Sequence, residues 1–130
     1  MKKILRRLII SIICIVSATI SVSAIYSSTL TAQPPAWGGS IDVMSTYVTK
    51  TTNSASISFY GVKENNALNP SGKIINSNGE SRSDWVTISQ GQTFTNQSNG
   101  GAINFNYYSR IKTNLLEPNS NVIQYQYNPY

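Results

Sequence analysis

Glu80 and Asp84 are the one pair of carboxylates close together in this chain, with Arg82 between them. Paired acid and base work of the glycosidase kind needs a shielded cleft that pulls the two pKa values apart. These two sit among Asn, Ser and Gly, where solvated acids are ordinary. Asn76, Asn78, Glu80 and Asp84 also form a row of oxygen donors of the sort that holds Ca²⁺. Their order departs from a calcium loop, because Gly79 is misplaced and no carboxylate fills the first position. The chain has no histidine, and its single cysteine is Cys14. The usual zinc sites and the Ser-His-Asp and Cys-His nucleophile systems are therefore out of reach of the segment after residue 24. No metal, no cofactor and no catalytic activity are expected.

Aromatic side chains offer a different chemistry. Eight tyrosines and two tryptophans are many for 130 residues, and neighbours such as Tyr107 and Tyr108 must point to opposite faces if they share a strand. One of each such pair can fill a core while the other stays outside. An outward Tyr beside Asn or Gln is suited to stacking on a sugar ring and bonding its hydroxyls. The plainer reading is that Tyr is a good strand residue with a wet hydroxyl.

The elements that would position these residues begin after a leader. Lys2, Lys3, Arg6 and Arg7 precede an apolar run over Leu8 to Ile20, and Val22-Ser23-Ala24 closes it with small residues. This is the layout of a secretory signal peptide cut after Ala24. The run is short of the roughly 20 residues of a membrane anchor. Cys14 reads as a passenger, since Ile12 and Ile13 stand where a lipoprotein signal carries small residues. Removing 1–24 takes away four of the ten Lys and Arg residues and none of the five acids. The scattered cations that remain disfavour nucleic acid as a partner. The expected partners are the export machinery and an envelope component.

Residues 25–40 read as a flexible leading arm, extended at Pro34-Pro35. Residues 41–130 read as one domain. Ile41 to Val48 and Ala55 to Tyr60 alternate as strands, with a turn over Thr51 to Ser54. Asn69-Pro70, Ser71-Gly72 and Asn78-Gly79 mark turns around a short Ile74-Ile75 strand. Trp85 to Ser89 and Gln92 to Asn96 follow. Ala102 to Tyr108 carries the clearest alternation, Arg110 to Leu116 offers another strand, and Ile123, Tyr125 and Tyr127 oppose Val122, Gln124 and Gln126. Six to eight short strands without helical period predict an all-β fold, a small antiparallel β-sandwich.

Trp37-Gly38-Gly39, Ser45-Thr46-Tyr47, Lys50 to Ile57 with its Ser54-Ala55-Ser56, Trp85, and Ala102 to Tyr108 with two closing tyrosines together resemble the lactococcin-type bacteriocins. The resemblance covers about Trp37 to Tyr108. The histidines of that family are missing, and this chain runs on through Arg110 to Tyr130. The resemblance implies a β-sandwich secreted by a Gram-positive bacterium and non-covalent engagement of a cell-wall precursor, lipid II. Trp37, Tyr47, Trp85 and Tyr108 are then the expected binding residues. The other reading is a secreted cell-surface or matrix interaction module without killing activity.

Overall fold

Alternation of apolar and polar residues becomes strand where one face can be buried. The computed structural model describes residues 25–98 and 100–130, and among them there are eight strands and no helix. In chain order these are β1 Leu30–Ala32, β2 Ser40–Thr49, β3 Ser56–Lys63, β4 Ser71–Ile75, β5 Val86–Thr87, β6 Thr93–Gln97, β7 Asn106–Lys112 and β8 Ile123–Asn128. They form two antiparallel sheets, ordered β1-β8-β3-β6 and β2-β7-β4-β5. The leader read over Met1 to Ala24 lies outside the described residues.

The inner faces of the two sheets share one core. Ile57 and Phe59 of β3 and Ile123, Tyr125 and Tyr127 of β8 meet Ile74 of β4 and Tyr107 and Ile111 of β7. Phe59 stacks between Tyr125 and Tyr127, with ring centroids 5.9 and 5.8 Å away. It also lies on Gly72 of the opposite sheet, where any Cβ would collide with its ring. The buried phenols must find partners. Tyr125 Oη bonds Ser109 Oγ at 2.6 Å, and Tyr127 Oη donates to the Tyr107 carbonyl at 2.7 Å, so both hydroxyls tie one sheet to the other. No cysteine lies in residues 25–130, so burial and these bonds hold the sheets together without a disulfide.

Lys50 is buried as well, only 1% exposed, and its Nζ donates to the carbonyls of Ser54 at 2.6 Å and Pro129 at 3.0 Å. Burial lowers its pKa. It fastens the turn after β2 to the segment after β8.

Three of the connections between the sheets meet at one end of the sandwich: 33–39, 64–70 and 113–122. Glu117 stitches them. Its carbonyl accepts from Trp37 N at 2.7 Å, Oε2 from Leu68 N at 2.7 Å, and Oε1 from Asn119 N at 2.9 Å. The donated amides, Leu68 first, hold this carboxyl below its ordinary range. Thr113 Oγ1 donates to the Pro35 carbonyl at 2.6 Å and Ser120 Oγ to that of Pro34 at 2.8 Å.

Several expectations change. The leading arm contributes a strand: β1 pairs with β8, Leu30 opposite Tyr125, and buries Leu30 and Ala32. Ser71-Gly72 is strand rather than turn, because Gly72 is the gap that admits Phe59. Ala102 to Phe105 is not strand. Asn104 has a positive φ of 65°, and the segment bends back on Lys50 through Asn104 N to Lys50 O at 2.8 Å and Lys50 N to Phe105 O at 3.0 Å. The strand starts at Asn106 and takes in Arg110 to Lys112, which the sequence reading assigned to a separate strand. Trp85 to Ser89 shrinks to the two residues of β5.

Candidate functional site

Because β2, β7, β4 and β5 bury one face, their alternate residues line the other. The register sets the rows: Asp42 and Lys73 flank Arg110, Ser71 lies opposite Lys112, and Ile75 opposite Tyr108. Along β7 the outward residues are therefore Lys112, Arg110, Tyr108 and Asn106, a strip about 20 Å long at the usual rise of a strand.

At one end of the strip stands Trp85. Lys73 Nζ lies 4.6 Å and Lys112 Nζ 4.3 Å from its ring centroid, distances at which the ring quadrupole attracts an ammonium. Neither lysine is paired with a carboxylate among the described residues. The pKa of Lys73 is lowered, chiefly by burial and further by the charges of Arg110 and Lys112. Next along, the Arg110 guanidinium forms a two-pronged pair with Asp42, with Nη2 to Oδ2 at 2.7 Å, and also donates to the Gly79 carbonyl at 3.2 Å. That pairing lowers the pKa of Asp42. Asp42 thus neutralises Arg110, and Asp84, beside Trp85 and close enough to act on Lys73, offsets one of the two lysines, so the strip keeps an excess of one positive charge.

In the middle of the strip Tyr47 and Tyr108 meet edge to face, centroids 6.1 Å apart. A break in register between Val43 and Val48 lets β2 bring Tyr47 there while Val48 stays in the core. Beyond them opens a cleft of about 350 Å³ lined by Asn76, Asn78, Arg82, Phe105 and Asn106 among others. Phe105 is exposed there. A flat apolar ring among amides and a guanidinium is the chemistry that holds a sugar: stacking for the ring, fixed donors and acceptors for its hydroxyls.

Three of the four candidate residues, Tyr47, Trp85 and Tyr108, therefore share one face. Trp37 does not. It sits with positive φ in the 33–39 connection at the end of the sandwich, pointing away from the core. The residues that sequence reasoning missed are Lys73, Lys112, Arg82 and Phe105. The lysines looked scattered because only strand register brings them together, and Phe105 was read as part of a strand over Ala102 to Tyr108, whereas the strand begins one residue after it.

The acidic stretch has a structural use. Asn76 Oδ1 accepts from the amides of Asn78 at 3.0 Å and Glu80 at 2.9 Å, and Glu80 Oε2 accepts from Arg82 at 2.8 Å and Asn76 Nδ2 at 2.6 Å. These oxygens close the turn between β4 and β5, and Asp84 is exposed beside Trp85, where its charge acts on Lys73.

Comparison of the chain with protein-family models, with curated proteins and with solved structures finds no match.

Proposed function

We propose that this protein is a secreted, bacteriocin-like antimicrobial that binds an envelope target without catalysis, through the outer face of β2, β7, β4 and β5. The observation that carries the reading is the alignment of three chemistries on one strip: an amide-lined cleft with an exposed Phe105, the Tyr47–Tyr108 pair, and two unpaired lysines on Trp85. A cell-wall precursor presents the matching groups in a row, sugars and then phosphates. The leader over Met1 to Ala24 and the resemblance over Trp37 to Tyr108 support export and antagonism.

The test is a pull-down of residues 25–130 on isolated Gram-positive envelopes, with and without lipid II as competitor. Competition is expected, together with loss of growth and septation in sensitive cells. Tyr47→Ala with Tyr108→Ala should weaken envelope binding about tenfold or more, as loss of a central aromatic pair does. Unchanged binding by that double variant rejects the face as the site. One observation favours the second reading, a surface interaction module without killing: β8, which lies beyond the resembling stretch, is paired on both sides in its sheet. Saturable envelope binding that lipid II leaves untouched, with no effect on growth, is its signature.

A further inference from the structure

The end of the sandwich where Glu117 joins three connections carries apolar side chains with no core to enter. Trp37 is 65% exposed, Leu115 76% and Leu116 73%, and Leu68 in the neighbouring connection 42%. Isolated exposed apolar residues are ordinary, but a group of large ones gathered from separate loops marks a contact surface. Glu117 makes this group rigid, since Trp37 N and Leu68 N are both bound to that one residue. Leu115 lies against the glycine after Trp37, its Cδ2 only 2.5 Å from where a Cβ on Gly38 would sit. The tip is thus held in shape before it meets anything.

The charge at its base identifies the occupant. A cleft of about 280 Å³ lies between the tip and the strip, lined by Gly38 and Leu115 on one side and Ser71 and Lys112 on the other. Lys112 and Lys73 present the unpaired cations described above. Glu117, the acid inside the tip, is buried and spends both carboxylate oxygens on backbone amides. Neighbours in sequence, Lys63 and Glu64 add no net charge, and Asp84 beside Trp85 offsets one cation, so the base of the tip remains net positive. An apolar projection of Trp and Leu with ammonium groups at its base matches the profile of a bilayer surface, where indole rings favour the interface and anionic headgroups attract lysine.

We propose that this tip docks into an anionic phospholipid surface, with Trp37, Leu115 and Leu116 in the interface and Lys112 and Lys73 at the level of the phosphates. The docked orientation extends the strip away from the bilayer, so the tyrosine pair and the amide cleft stand out among whatever glycans the surface carries. The docking itself rests on the tip alone. Only its use in capturing a membrane-anchored precursor rests on the proposed function.

The experiment is partition of residues 25–130, which contain every strand and core residue described, onto vesicles of phosphatidylcholine and phosphatidylglycerol in equal parts. The full chain is run beside it to separate binding by Leu8 to Ile20. Leu115→Ser with Leu116→Ser should lower partition at least about tenfold, at an unchanged urea midpoint since both side chains are exposed. Lys112→Gln should lower it about fivefold on these vesicles, the worth of one lysine near an anionic surface, and leave binding to pure phosphatidylcholine unaltered. Brominated acyl chains should quench the emission of the Trp85→Phe variant, which keeps Trp37, far more than that of Trp37→Phe. Absence of partition, indifference to the double serine variant, or equal quenching of the two tryptophans each overturns the proposal. The vesicles hold no glycan, so failure here with retained envelope binding rejects the tip alone. Partition with envelope binding indifferent to Tyr47 and Tyr108 rejects the face alone.

Discussion

Tyr125 and Tyr127 fill the centre of the core as apolar rings and bridge the sheets as hydroxyls, and the two duties act on the phenol pKa in opposite directions, burial raising it and hydrogen bonding lowering it by less. Burial raises both phenol pKa values well above the ordinary 10. Above pH 10 the unfolded chain releases protons that the folded chain keeps, so the stability these groups confer is complete below pH 10 and is lost as pH rises beyond it. The expected loss is about 1.4 kcal/mol per pH unit for each tyrosine. Tyr125→Phe should cost about 1 kcal/mol at pH 7, where Ser109 Oγ loses its partner, and roughly halve the alkaline slope. Urea denaturation at pH 7, 10 and 11 measures both. The alternation of Ile123, Tyr125 and Tyr127 with Val122, Gln124 and Gln126 made it legible in the sequence that the three share a face. Their hydroxyl partners were not, because Ser109 and the Tyr107 carbonyl come from the other sheet.

Strands were legible where side chains alternate and obscure where a backbone detail decides. Ala102 to Phe105 alternates in composition, yet the positive φ of Asn104 folds it onto Lys50, and β7 starts later. The leading arm looked flexible because its polar residues hide Leu30 and Ala32, which become core only when β8 arrives. Glycines show the same division. A Cβ on Gly61 would overlap the Ser89 carbonyl, and Gly61 also accepts from Gly91 N at 2.8 Å, whereas Gly91 has open space and only its φ of 75° to defend. Gly91→Ala should therefore cost about 1 kcal/mol from conformation alone. Gly61→Ala should cost more, about 2 to 3 kcal/mol, as the backbone of β3 is forced away from the connection that follows β5. The two urea midpoints decide the order.

The outer strip became visible only with the whole sandwich assembled. Tyr47, Trp85 and Tyr108 could be named from the sequence as aromatic candidates, but that they share a face follows from antiparallel register, as does the meeting of Lys73 with Lys112. The same assembly makes β8 indispensable: it lies between β1 and β3 and contributes three fully buried side chains. A chain ending at Asn121 is expected to lose its cooperative unfolding transition altogether, read by far-UV circular dichroism against urea. A truncated form that still unfolds with a sharp midpoint would show that β2-β7-β4-β5 stands alone.

That placement of β8 also imposes an order of events. It follows every other strand among the described residues, and its partners include β1, the first of those, so one whole sheet waits for residues 123–128 before it can assemble. A nascent polypeptide emerging from the ribosome has, until then, at most a half-formed sandwich with its apolar side uncovered. Such a chain stays threadable, the condition a translocation pore demands of its passenger, and long-range closure between β1 and β8 makes the final step slow. For the exported protein proposed above, folding would thereby be postponed to the far side of the membrane, where no translocase has to undo it.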